Sequence, residues 1–530
     1  MKKLLFVLVV ILINTTSLLA QNEGLKFIDE NDLKSYMKFL SSDEMKGREL
    51  GRGENDIAAM YIETCLMRFG VNPIPGSDTY FQKIPFASKN VDRSKSLLSA
   101  VDDNGKTLFS TDSILSLIPP SGSLDVTGDL VFAGYGFEDK KSGYSDLKDV
   151  DITDKIVMIM TRNPNISDDP KYASGYRFDQ QVEVSKIMPL FSKKPKALFL
   201  VYDGKNAFQD PYRSGLADML GGGNSVSLAD KPGMSLPVKI LFLTGNTANQ
   251  LLASTGKTLR QMQEIIDKEK KPVSTAVKGI RVSFKINVNE TRFTGNNVIG
   301  VIEGSDPVLK NECIVYSAHF DHIGVNDKGE VFNGADDNAS GSIGLLGVAD
   351  AFAHLKKKPL RTVIFVWVTG EEKGLLGSQY YVGHPVIPME KTILNINLDM
   401  IGRSKMASDT GSFMGMKLNV TSKDEIMLYN EHKSAELLKI VDAASAKTGV
   451  KVIDKGKDLE FGGSDHESFV AKKVPFLFFH SGIDADLHSI RDDADKIDYD
   501  KMEKVSKLVY LVGYNVANSK TGIKFDTTAK

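Results

Sequence analysis

From about residue 295 the chain alternates near-continuous apolar runs with segments of helical character. The runs are NNVIGVIEG, ECIVYSAHFD, RTVIFVWVTGEE, KTILNINLDMIG and VPFLFFHSG, and between them stand ASGSIGLLGVADAFAHL and SAELLKIVDAASAKTG. Apolar runs without polar alternation read as strands buried on both faces. Their alternation with helices predicts an α/β fold with a mostly parallel central sheet flanked by helices on both faces. Residues 28 to 70 show apolar spacing near the helical period in LKSYMKFL and NDIAAMYIETCLMRFG, with Gly70 as a stop. A last helix is expected from about Asp498 to Asn518, its Met502, Val505, Leu508, Val509 and Val512 face packed on the sheet.

Between these parts, from about 110 to 290, the pattern changes to strand-like segments bounded by Gly, Pro and Asp: DLVFAGYGF, DKIVMIM, KALFLVYD and PVKILFLTG, closed by one short amphipathic helix over NQLLASTGKTLRQMQEIIDKE. This block reads as a β-rich insert. The expected organisation is therefore a leader at 1–20, an N-terminal part of the main domain at 21–110, the insert at 111–290 and the remainder of the main domain at 291–530.

The leader reading rests on Lys2 and Lys3, an unbroken apolar run from Leu4 to Ile13, and small and polar residues up to Ala20. That run is short for a membrane span and is interrupted by Asn14, Thr15 and Thr16, so it reads as a signal peptide cleaved near Ala20, with no permanent membrane anchor. Export to the periplasm or beyond the cell follows. A chain of 530 residues with 42% hydrophobic and 25% charged residues is neither disordered nor membrane-embedded as a whole. Its formal net charge of -2, without a basic stripe, argues against nucleic-acid binding. The only cysteines, Cys65 and Cys313, read as buried thiols, so any metal is held by oxygen and nitrogen.

Candidate chemistry sits at the ends of the apolar runs, where an open α/β sheet binds its ligands. His319 and Asp321 end CIVYSAHFD two positions apart, which suits a ligating imidazole oriented by a carboxylate. Glu371 and Glu372 diverge at the turn after IFVWVTG, so that one binds metal while the other takes a proton from water. Asp399 ends ILNINL. Asp336, in the Gly-flanked loop NGADDNASG, is placed to bridge two cations, and His488 in DLHSIRDDAD completes the set.

The segments HFD, GADDNASG, TGEEKGLLGS, NLDMIG, GGSDHESF and DLHSIRDDAD resemble the motif series of the M28 zinc peptidases, a family of secreted aminopeptidases. The resemblance is loose over residues 30 to 110 and close over 290 to 517, and the insert resembles a protease-associated (PA) domain that would restrict access to the cleft. It implies a zinc-peptidase-like α/β sandwich holding two Zn²⁺, with Co²⁺ or Mn²⁺ as substitutes. Asp336 would bridge the ions, Glu372 and His488 would hold one, and His319 and Asp399 the other. Glu371 would be the general base and acid, Asp321 and Asp465 would support the site, and the Asp336–Asp337 peptide would be cis. The substrate would be a peptide or protein, cleaved at its free N-terminus. One departure stands out: many relatives carry Tyr before the last ligand His, and this chain has Leu487.

The remaining candidates have plainer readings. His354, His384 and His432 read as surface or helix residues, and His322 and His466 as supporting or structural. His480 either lines the pocket or sits in the core. The run Asp492 to Asp495 reads as helix capping and solvated surface. Arg403 and Arg491 either clamp a substrate carboxylate or pair with neighbouring acids. Rival functions are a carboxypeptidase of the same family, a glutaminyl cyclase and a non-catalytic binding protein on the same fold.

Overall fold

The computed structural model describes residues 21–112, 114–116, 122–164, 180–201, 224–231, 239–326, 328–413, 416–430, 434–456, 463–521 and 523. The leader and His432 lie outside them. The chain divides into two compact units, one made of the residues up to Pro85 together with Thr294–Lys530, the other of Phe86–Phe293.

In the first unit, helices α1 (Glu30–Leu40) and α2 (Gly53–Phe69) precede the end of a long strand β1 (Thr275–Ile302). There follow β2 (Cys313–His319), α3 (Gly341–Ala353), β3 (Thr362–Val368), α4 (Leu376–Gly383) and β4 (Thr392–Leu398). The chain then forms β5 (Glu425–Tyr429), α5 (Ala435–Thr448), β6 (Lys451–Gly456), α6 (His466–Val470), β7 (Phe476–His480) and α7 (Tyr499–Asn518). The sheet order is β6-β5-β7-β4-β2-β3-β1. β2 runs parallel to β3 and β4, β4 to β7, and β5 to β6, while β1 on β3 and β5 on β7 are antiparallel. The mostly parallel sheet is as expected. Two of its strands were not expected: β5, whose buried run Ile426–Tyr429 is short, and β6, a largely half-buried strand whose only apolar pair is Val452 and Ile453.

The two-faced burial read from the apolar runs is literal. Ile314, Tyr316 and Ala318 of β2 belong to one core with residues of α1, α2, α3, α5 and α7, whereas Cys313 and Val315 belong to another with Tyr381, Val382 and Phe469 from α4 and α6. Alternate residues of one strand thus face helices on opposite sides, as the period of two requires. Each fully buried aliphatic or Phe side chain contributes about 1.5–3 kcal/mol, so these strands supply much of the driving force. Helix α3 is buried all round, which its composition of small and apolar residues permits. Caps fix the helix ends: Asp29, Ser434 and Asp498 accept backbone N–H groups at the starts of α1, α5 and α7, and Gly70 and Gly449 adopt left-handed conformations after α2 and α5.

Parallel strands present their carboxyl ends along one edge. β2 ends at His319, β3 just before Glu371 and Glu372, and β4 just before Asp399. This alignment gathers the candidate residues.

In the second unit, Leu124–Phe132, Ile156–Met160, Ala197–Val201 and Lys239–Leu243 form a parallel series. It is strand-dominated but includes helices Gln180–Ser192, Gly245–Leu252 and Leu259–Glu269. The single amphipathic helix expected at its end is two helices. Gly256 turns left-handed after Thr255, and Thr258 with Gln261 restarts the chain with a capping box. Among the described residues no helix is long and apolar enough to cross a membrane.

Candidate metal centre

Two donor groups meet at Asp337. His319 Nε2 lies 3.4 Å from Asp337 Oδ1 and 3.4 Å from Asp399 Oδ1. On the other side, His488 Nε2 lies 3.0 Å from Asp337 Oδ2 and 3.2 Å from Glu372 Oε2. A tetrahedral ion with bonds of about 2.0–2.1 Å separates its donors by about 3.3–3.4 Å. The spacings at His319 match that polyhedron, and those at His488 are a few tenths of an ångström shorter. His319 Nε2 and Asp399 Oδ1 are also buried without a hydrogen-bond partner, an expensive state for polar atoms that a shared cation relieves. Imidazole and carboxylate donors without thiolate suit zinc and also admit Co²⁺ or Mn²⁺.

Of the two adjacent acids it is Asp337 that faces both histidines, where Asp336 was expected. The Asp336 carboxylate turns away from the histidines, and its Oδ1 accepts the Gly402 N–H at 2.7 Å. The cis peptide is likewise Asp337–Asn338, one residue later than expected. The local frame explains which acid faces the site. Asp492 accepts the N–H groups of both Asp336 and Asp337, at 2.9 and 3.0 Å, one on each carboxylate oxygen. Asn338 then accepts from Gly341 and Met400 and donates to the Leu398 carbonyl, which ties the loop to the end of β4 beside Asp399. Gly334 makes room: a Cβ there would lie 2.3 Å from the Asp337 carbonyl oxygen. Met400 and His488, both non-glycine, hold positive φ at the rim of the site, the sort of backbone strain that a functional constraint sustains.

Asp321 orients His319 differently from the expectation. His319 Nδ1 lies 3.2 Å from the Asp321 backbone carbonyl and 3.8 Å from its carboxylate, which instead accepts the Glu371 N–H. Asp465 is buried, with His319, Ser378 and Asp399 acting on it, and burial raises its carboxyl to about 6. Glu371 enters neither of the two compact donor clusters, His319 with Asp337 and Asp399, and His322 with Asp337 and Glu372. Burial pushes its carboxyl well above the usual range, and Glu372, Asp465 and Asp399 add to the effect against the pull of His319. Glu372 chiefly, with Asp337, lifts His488 to about 12, while Asp399 and Glu371 hold His319 well above the ordinary imidazole value despite burial. The carboxylates thus create a strong demand for positive charge, and a divalent cation meets it by displacing those protons.

Arg403 and Arg491 are the acid-paired members of their alternatives. Arg403 is buried among Asp409, Asp484 and Asp486, and Arg491 Nε donates to Asp486 at 2.7 Å. His480 and His466 stack on Phe478. His354 pairs with Asp350, and His384 stacks on Tyr380.

Two residues escaped the sequence reading. Asp492, expected at the surface, is buried under the loop. Arg48, in GRELGRG, is fully buried and donates to the carbonyls of Leu40, Phe320, Asn333 and Gly334. Burial lowers its guanidinium to about 10 against the pull of Asp337 and Asp492. It ties the segment after α1 to both loops that carry the donors. Because every partner is a backbone carbonyl, no residue pattern reveals it.

Residues 297–512 match the family described as "Peptidase family M28". Over 209 residues the chain is 32% identical to "Leucine aminopeptidase 2" of Trichophyton rubrum, covering 39% of this chain and 38% of that protein. With "Vacuolar membrane protease" of Saccharomyces cerevisiae it shares 29% identity over 158 residues, 30% of this chain and 14% of that protein. The chain thus spans less than half the length of these curated relatives. Among solved structures, an aminopeptidase from Aneurinibacillus sp. strain AM-1 superposes with a TM-score of 0.55 at 20% identity, covering 93% of this chain and 95% of that one. BSAP, a zinc aminopeptidase from Bacillus subtilis, gives 0.52 at 16% identity over 95% and 97%. At these identities the likeness is one of fold.

The Asp492 bridge yields a direct prediction. In Asp492→Asn one acceptor oxygen becomes a donor, so one of the two loop N–H groups is left without a partner. The expected cost is about 1–3 kcal/mol in chemical denaturation, accompanied by weaker zinc binding. Unchanged stability together with unchanged zinc affinity would refute the bridge.

Proposed function

We propose that the protein is an exported, zinc-dependent aminopeptidase of the M28 type, hydrolysing peptide bonds next to a free N-terminus at a two-ion centre. The observation that carries this reading is the pair of donor groups sharing Asp337, with Glu371 beside them and outside both. Asp337, His319 and Asp399 would hold one ion, and Asp337, Glu372 and His488 the other. Zinc bound there supplies a water of lowered pKa and polarises the scissile carbonyl. Glu371 takes the proton of that water and delivers it to the leaving amine. Its raised affinity for protons suits that shuttle. Asp321 holds Glu371 through its backbone N–H, so the base and the His319 side of the site share one support.

The choice of aminopeptidase over carboxypeptidase draws support from the two arginines. A carboxypeptidase needs a cation for the substrate carboxylate, and Arg403 and Arg491 are both committed to acids. The M28 match and the aminopeptidase names of the relatives point the same way. The insert, as a PA-like domain, would act on substrate access.

Export rests on the pattern of Lys2, Lys3 and the run Leu4–Ile13. Intact mass of the protein recovered from the periplasm or medium of a secreting host should correspond to a chain starting at Gln21. A chain retaining residues 1–20 would contradict this.

Activity is tested on aminoacyl chromogenic amides and their N-acetylated counterparts, with chelator and zinc add-back. Cleavage is expected only for the free amines, abolished by chelator and restored by zinc. Glu371→Gln should lower turnover by at least about 10²- to 10⁴-fold while zinc content stays at the unsubstituted level. Cleavage of blocked peptides from the carboxyl end would move the assignment to a carboxypeptidase, and an active Glu371→Gln enzyme would remove the proposed base.

A further inference from the structure

His322 is not among the expected ligands, yet it is fully buried beside them, and one of its ring nitrogens clusters with carboxylate oxygens of Asp337 and Glu372. Its Nδ1 lies 2.7 Å from Glu372 Oε1 and 3.6 Å from Asp337 Oδ2, and its ring packs edge-on against His488 with centroids 5.7 Å apart. The seat is kept open by Gly334, where a Cβ would come within 2.5 Å of His322 Cδ2. The two oxygens of Glu372 therefore have different tasks. Oε2 faces His488 Nε2 at 3.2 Å, while Oε1 is taken by His322.

We propose that His322 is a positioning residue for the second zinc site: its Nδ1–H donates to Glu372 Oε1, so that Glu372 offers Oε2 alone to the ion shared with Asp337 and His488. This rests on the two-ion reading above. A carboxylate has two equivalent oxygens and a free torsion about its last bond. Unheld, Glu372 exchanges between one-oxygen and two-oxygen approaches and can swing out of line with Asp337 Oδ2 and His488 Nε2. A charge-assisted hydrogen bond of this length fixes the torsion and reserves one oxygen. Outer partners of this kind set metal affinity by about 10- to 100-fold. Here the usual roles are reversed, with the imidazole supporting the ligand and the carboxylate being the ligand. In this role the proton sits on Nδ1, which donates, and Nε2 stays buried without a hydrogen-bond partner. The ring reaches Glu372, His488 and the Asp337 oxygen that faces His488, so the effect falls chiefly on that ion.

The test is calorimetric titration of metal-depleted protein with zinc, in the unsubstituted chain, His322→Leu and His322→Asn. Leu removes the donor, whereas the Asn amide places N–H close to the position of Nδ1. Binding of two zinc ions by the unsubstituted chain comes first, and failure to bind them sinks the two-ion reading itself. Given that, His322→Leu should weaken one ion by about 10- to 100-fold and leave the other within about threefold, and His322→Asn should recover most of the loss. In kinetics, His322→Leu should lose kcat at limiting zinc and regain it at saturating zinc with KM unchanged. The inference is overturned if Leu leaves both affinities intact, if it weakens both ions equally, or if Asn is as poor as Leu.

Discussion

The arrangement of the site depends on one carboxylate committed in two directions. Asp337 sends Oδ1 toward His319 and Oδ2 toward His488. Nothing in a carboxylate favours that placement unaided, since its rotation is soft and its charge is costly to bury. The surrounding chain removes the freedom. Asp492 holds the Asp337 N–H from below, Asn338 is stitched to the end of β4, and Arg48 gathers the carbonyls of Asn333 and Gly334 just upstream. Three segments distant in sequence thus converge on one short loop, and the fold's parallel sheet supplies the other donors at its carboxyl edge.

The electrostatics follow from the same crowding. Asp337, Glu372, Asp399 and Glu371 lie close together, and the demand they create for positive charge appears as elevated proton affinity on His319 and His488. A centre of this kind is costly while it holds only protons and gains from a divalent ion, so binding of metal and integrity of the site are linked. Behind it, Arg403 balances Asp409, Asp484 and Asp486 and lies within electrostatic reach of Asp336. Asp336 thus lies in the network behind the loop rather than on the face toward the histidines.

Much of this was legible in the chain. Strands buried on both faces leave continuous apolar runs, and the residues that terminate them in a parallel sheet fall on one edge, which made His319, Glu371, Glu372 and Asp399 readable as neighbours. The adjacent acids of GADDNASG were not separable in that way. Which of Asp336 and Asp337 faces the histidines depends on an irregular loop whose path is set by N–H groups given to Asp492, one received from Gly402 and the Asn338 link to Leu398, and none of these has a periodicity. Asp492 was hidden in an acidic run that normally signals surface. Arg48 was hidden because it recognises carbonyl groups, which every residue carries. The strand Lys451–Gly456 escaped for the complementary reason: it is only half-buried, and its apolar content is the single pair Val452 and Ile453.

The central claim, that Asp337 alone joins two ions, is tested most directly by anomalous scattering from crystals of the zinc-loaded protein collected on either side of the zinc absorption edge. The account predicts two peaks about 3.5–4 Å apart, on opposite oxygens of Asp337, with the Asp336 carboxylate still on the Gly402 N–H. A single peak, or two peaks joined by a carboxylate other than Asp337, would contradict it.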